Sequence, residues 1–175
     1  MNAAKDCTLQ EKLLRCAMAL ILAAGALLAS VVASPAYAAP STVDVSIGGK
    51  IPYGGFATTW MSADGNIAYC AEPSSPTPEP GSYSTSPVPS GDVTAAIWYS
   101  FGSPGFDTSM FPGSWYDGGG WDDAKYAAAS HVLIAYAYSG SESAATHGTS
   151  SEFASWAKSE LIGGTFAKMK AGAGL

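Results

Sequence analysis

Residues 56–70 read FATTWMSADGNIAYC. Asp64-Gly65 lies between two segments of alternating character. A two-residue type I′ turn needs positive φ at both central positions, and Asp-Gly adopts them at low cost. The stretch predicts a β-hairpin with arms Phe56 to Ser62 and Ile67 to Ala71. That register pairs Trp60 with Tyr69 and Thr59 with Cys70. Trp60 and Tyr69 then share one face, and Cys70 points the other way from the second strand. Upstream, Val43, Val45 and Ile47 alternate with Asp44 and Ser46, which predicts a half-buried strand ended by Gly48-Gly49.

Downstream, Pro73 to Gly91 carries six prolines among serines and threonines and reads as an extended surface connector. Ser90-Gly91-Asp92 offers an N-cap to a short helix through Ala95, Ile97 and Trp98, stopped by Gly102-Ser103-Pro104-Gly105. Phe106, Phe111, Trp115, Tyr116 and Trp121 then fall among glycines. That segment is too apolar for disorder and too irregular for a helix, so a folded loop pinned by its own rings is expected.

Asp122-Asp123 caps the strongest helical segment, Ala124 to Tyr138, which ends at Gly140. Tyr126, Leu133, Ile134 and Ala137 are placed to point inward. Around His131 the neighbours Ala127, Ala128 and Ala135 are small, so another backbone can come close. Thr149-Ser150-Ser151-Glu152 has the form of a capping box. It opens a second helix through Phe153, Trp156 and Leu161, expected to stop at Gly163-Gly164. The expected fold is α+β: a β-rich antiparallel sheet or barrel with two or three helices packed against it.

The chain has 175 residues, and residues 1–38 carry the marks of an export signal. A weakly basic start leads into the apolar run Cys16 to Ala33, then Ser34-Pro35 and Ala36-Tyr37-Ala38, a small-x-small cleavage pattern. An uncleaved anchor is the alternative, since a membrane span needs about 18 or more apolar residues. Residues 39–175 then form a single module, or the N-terminal part of a longer surface protein, outside the cytoplasm. This part holds five lysines, no arginine and twelve acids, net −7. Such a charge excludes nucleic acid, whose phosphates call for Lys and Arg stripes. It also excludes docking on anionic lipid, leaving membrane attachment only through an uncleaved signal.

Few residues can carry chemistry. Cys7 and Cys16 leave with the signal, so Cys70 has no intramolecular disulfide partner. It is an inert buried residue, a link to a second copy, or a nucleophile. His147 lies in Ser/Thr/Gly-rich sequence and has no expected role. His131 lies mid-helix among apolar residues. A helix laid over the hairpin would bring its imidazole to the Cys70 thiol, and a neighbouring His activates a thiol. No metal-ligand spacing, phosphate loop or nucleophile elbow occurs, so neither metal nor cofactor is expected.

Tyr69-Cys70-Ala71-Glu72-Pro73 after an Asp-Gly hairpin, a Pro/Gly loop with Tyr83, then Ala95-Ala96-Ile97-Trp98-Tyr99, Gly105-Phe106 and the helix Tyr126-Ala127-Ala128-Ala129-Ser130-His131-Val132-Leu133 form a familiar series. It resembles the thioester domains of Gram-positive surface adhesins, over roughly Val43 to Tyr138. In that family a Tyr-Cys-x-Asp/Glu strand supplies a cysteine and a Thr-Gln-x-Ala helix supplies a glutamine. The two condense into an internal thioester that a host-surface amine opens. The resemblance places the family's Thr-Gln on Ser130-His131. Gln10, inside the signal, is the sole glutamine of the chain, and Asn66, in the hairpin turn, is the one amide side chain beyond the signal.

The resemblance therefore implies the scaffold and the surface setting without the Cys–Gln bond. The expected role is a secreted or cell-surface adhesin-type module that binds a host surface protein or glycan. Trp115, Tyr116 and Trp121 are its candidate contact rings. The alternative is a hydrolase or acyl transferase using Cys70 and His131 as a reactive pair.

Overall fold

The computed structural model describes residues 42–88 and 90–175. The export-signal reading of residues 1–38, with Cys7 and Cys16, lies outside the described residues. The fold is α+β. Four antiparallel strands, β1 (Thr42–Tyr53), β2 (Phe56–Ala63), β3 (Asn66–Ala68) and β4 (Gly81–Ser84), form one open sheet in the order β3-β2-β1-β4.

The hairpin turn is as expected. Asp64 has φ 49° and Gly65 has φ 80°, and Ala63 faces Asn66 across them. The turn is also tied to β1. The Asp64 carboxylate accepts from Asp44 N at 2.9 Å, and Asp64 N donates to Asp44 O at 3.0 Å. The β2–β3 ladder ends at Met61–Ala68. The pairs Trp60–Tyr69 and Thr59–Cys70 lie beyond it, so Cys70 sits two residues past the strand rather than on it.

Two further expectations are corrected. Gly48-Gly49 does not end β1. The β1–β2 register shifts between Ile47 and Lys50, and the strand runs on to Tyr53. A Cβ on Gly48 would lie 2.9 Å from Trp60 Cβ, so the bulge lets two backbones approach where a side chain would not fit. The Pro-rich segment is not all connector either: Gly81–Ser84 pairs along β1, with Val43 opposite Tyr83. A fully exposed four-residue strand has no apolar alternation to betray it. The open edge of β1 supplies the order.

Helix α1 (Gly91–Trp98) and a 3₁₀ turn (Thr108–Met110) precede α2 (Asp123–Ser139). The Asp122 side chain caps α2 by accepting from Lys125 N, and Gly140 closes it at φ 66°. Residues Ala127 through Ala135 are all buried. Leu133 and Ile134 are buried, and Tyr126 and Ala137 are half-buried against the core, as expected, while every direction around the middle of the helix is covered. A helix apolar all round belongs in a core, and α2 packs on β1, α1, a short helix α3 (Glu142–Ala145) and the C-terminal helix.

That last helix begins as α4 (Ser151–Trp156), with Ser150 rather than Thr149 at the N-cap, accepting from Phe153 N. It does not stop at Gly163-Gly164. It widens into a π-helical stretch, Ala157–Thr165, and continues as α5 (Phe166–Gly172). Leu161, Thr165, Phe166 and Met169 are all buried. Their burial outweighs the roughly 1 kcal/mol that each glycine costs a helix.

The aromatic loop is folded, as expected, but its rings look inward. Phe111 and Trp115 are core residues, and Phe101, Phe106, Tyr116, Trp121, Tyr126 and Trp156 pack against them. Trp121 stacks on Tyr126 at 4.7 Å, and its Nε1 donates to Pro112 O at 2.8 Å.

Candidate functional site

The site forms where the end of β1, the loop after β3 and the middle of α2 meet. Cys70 holds a free, half-buried thiol. Its loop is a tight turn: Ser75 N donates to Glu72 O at 2.9 Å, and Ser75 Oγ donates to the Glu72 carboxylate at 2.9 Å. Cys70 Sγ donates to the same Glu72 carbonyl at 3.2 Å. The Glu72 carbonyl thus holds the sulfur in place, and the buried Pro73 lines the same cavity.

His131 is 1% exposed. It and Cys70 line one small cavity of about 50 Å³, together with Thr58, Thr59, Ser75 and Thr77. The sequence alone did not point to Tyr53. It ends the inward-facing series Ile51, Tyr53 of β1 and is 4% exposed. Its hydroxyl lies 2.9 Å from His131 Nδ1. The only legible signal was the position: a tyrosine on the buried face, directly before the Gly54-Gly55 turn.

Electrostatics define the imidazole further. Burial pulls the His131 pKa down to about 4, opposed in part by the Cys70 backbone carbonyl, which favours the protonated ring. Nε2 is buried and has no partner at hydrogen-bond geometry. Burial, and after it the neighbouring Cys70 sulfur, keeps the Tyr53 phenol protonated well above its usual range. At neutral pH the ring is therefore neutral beside a protonated phenol.

The tautomer follows from counting protons. A buried Tyr53 O–H must donate, and Nδ1 is the acceptor in reach. The ring proton then sits on Nε2. The buried nitrogen without a partner, Nε2, thus carries an N–H and not a lone pair.

The residue before it has a structural task. Ser130 Oγ accepts from Phe101 N at 2.9 Å, while Tyr69 OH donates to Phe101 O at 2.6 Å. Burial pushes the Tyr69 phenol up to about 12, against the Ser130 and Ser100 hydroxyls. This knot ties the chain just before Cys70 to the residue just before His131, and so sets the spacing of the pair.

The other candidates lie apart. His147 is exposed and meets Phe56 edge-on at 6.4 Å. Of the three expected contact rings, Trp115 is 4% exposed, with Trp156 at 5.0 Å and Trp121 at 5.1 Å. A ring enclosed in this way has no face to offer a ligand, so Trp115 is a core residue. Tyr116 and Trp121 are half-buried. Among the described residues no group of three or more His, Cys, Asp or Glu could hold a metal ion.

A family model described as "Thioester domain" matches residues 42–164, well over half of the chain. No curated protein matches the chain, and no solved structure does.

Proposed function

The chain belongs to the thioester-domain family, and from that premise we propose that it is a secreted or cell-surface adhesin-type binding domain that folds without an internal Cys–Gln crosslink. The observation carrying this reading is the residue that the central helix contributes to the Cys70 cavity. It is His131, not a carboxamide, and Gln10 is the sole glutamine of the chain. Thioester formation would join the thiol to a side-chain carboxamide with loss of ammonia, and an imidazole has no carbonyl to give. The Ala36-Tyr37-Ala38 pattern supports export, with Gram-positive surface display as the family setting. No helix among the described residues is long and apolar enough to cross a membrane.

The partner is a host surface protein or glycan, met by Tyr116, Trp121 and the exposed rings rather than by Trp115. Trp98 is 52% and Tyr138 57% exposed. The test has two arms. Intact mass under native conditions should equal the sequence mass with no ammonia deficit, and the domain should bind saturably to at least one member of a panel of matrix proteins and glycans. An ammonia deficit overturns the first half of the reading, and a wholly silent panel overturns the second.

The alternative, a turnover hydrolase or acyl transferase, needs an imidazole lone pair aimed at the thiol. The Tyr53 hydrogen bond favours the opposite tautomer, and a ring held near pKa 4 is a weak base. The same geometry supports the binding reading better.

A further inference from the structure

Cys70 is not simply a spare thiol. It and His131 line one small cavity, and the His131 side chain, 1% exposed, holds a buried Nε2 with no hydrogen-bond partner. An unmade hydrogen bond at such depth costs about 1–3 kcal/mol. Its retention calls for a group that visits the cavity and accepts from it. The visitor must carry an acceptor oxygen near the sulfur and be small, since the cavity measures about 50 Å³. Its walls mix threonine and serine with Phe56, Met61 and two prolines, which suits a short acyl group, a polar carbonyl on a small apolar tail.

Resting on the reading above, in which Cys70 keeps a free thiol, we propose that Cys70 is an acyl-accepting residue: it takes a short acyl group from a small-molecule thioester while His131 Nε2–H holds the acyl oxygen. In the step, the Cys70 sulfur attacks the carbonyl carbon and a new S–C bond forms. The carbonyl oxygen gains charge and accepts from Nε2–H. The S–C bond of the donor then breaks, and the departing thiol leaves with the proton that Cys70 gives up. One thioester replaces another, so no oxidant or energy source is required. A donor aimed at the developing oxyanion is the arrangement that most lowers such a barrier. Tyr53 acts as a positioning residue, because its O–H on Nδ1 keeps the ring proton on Nε2.

The full chain is incubated with the acetyl thioester of N-acetylcysteamine and read by intact mass, with peptide mapping to separate Cys70 from Cys7 and Cys16. One acetyl group on Cys70 is expected. In His131→Ala its rate should fall about a hundredfold, while the rate with cystamine, a disulfide without a carbonyl, stays within a few-fold of wild type. Tyr53→Phe should lower acetylation several-fold with the same cystamine control, and it provides the test if His131→Ala does not fold. Acetylation of either variant at the wild-type rate overturns the role of the imidazole. A Cys70 that reacts with cystamine but never with the acetyl thioester, or with neither until denatured, overturns the proposal and leaves the binding reading intact. An ammonia deficit in the untreated chain overturns the binding reading instead.

Discussion

The hydroxyl of Tyr53, at the end of β1, lies 2.9 Å from Nδ1 of His131, in the middle of α2, across 78 residues of chain. Their rings meet nearly at right angles, 6.0 Å apart. The contact ties the sheet to the central helix and, with the hydroxyl donating, leaves the ring proton on Nε2 of a histidine that lines the Cys70 cavity.

Removing it should be costly. In Tyr53→Phe the buried Nδ1 loses its donor, and an unsatisfied buried polar atom costs about 1–3 kcal/mol. A urea melt should show a lower midpoint at unchanged slope. An unchanged midpoint would mean that the bond contributes nothing.

Acid should weaken the fold through His131. Its folded pKa of about 4 lies below the ordinary value of 6.5. Between those values the unfolded chain binds more protons than the folded one, so stability is present above pH 6.5 and lost as pH falls toward 4. The full window is worth about 3 kcal/mol. Urea midpoints at pH 4.0, 5.5 and 7.0 for wild type and a His131→Gln variant separate this part from the carboxylates. Asp107, lowered by its hydrogen bonds to Ser109, acts only at more acid pH. Parallel curves for the two proteins would assign the loss elsewhere.

His131→Gln carries a second expectation. A carboxamide facing Cys70 restores the pair that the family resemblance implies, and a fraction of the variant should lose one ammonia and become resistant to thiol reagents. Cys70→Ala in that background should abolish the mass deficit. A variant that keeps its full mass and a reactive thiol would show that the cavity geometry, not only the missing amide, prevents the bond.

Trp115→Ala should unfold the protein more than it affects recognition. Truncating a large core aromatic costs about 3–5 kcal/mol, and Trp115 touches Phe153 at 5.7 Å as well as its tryptophan neighbours. Thermal and chemical melts measure the loss. A normally stable Trp115→Ala protein would remove the ring from the core.

Much of the scaffold was legible where local chemistry is self-sufficient. Asp64-Gly65 specifies its own turn, Asp122 and Gly140 specify the ends of α2, and the run of small and apolar residues between them specifies burial. The misreadings share one cause. Gly48-Gly49 and Gly163-Gly164 look like stops, yet both lie inside elements, because cross-strand pairing in one case and core burial in the other outweigh a local preference. Gly81–Ser84 has no pattern of its own and becomes a strand only through the open edge of β1.

The amino-acid sequence by itself determined the hairpin, the central helix, the want of a disulfide partner for Cys70 beyond residue 38 and the absence of any glutamine outside residue 10. These are matters of short-range geometry and counting. Only the tertiary structure decided that Cys70 and His131 share a cavity, that Tyr53 holds the imidazole, and that Trp115 faces inward. Such relations join residues dozens of positions apart, and they arise from the packing of whole elements, whose energy is spread over many contacts and written in no single stretch of chain.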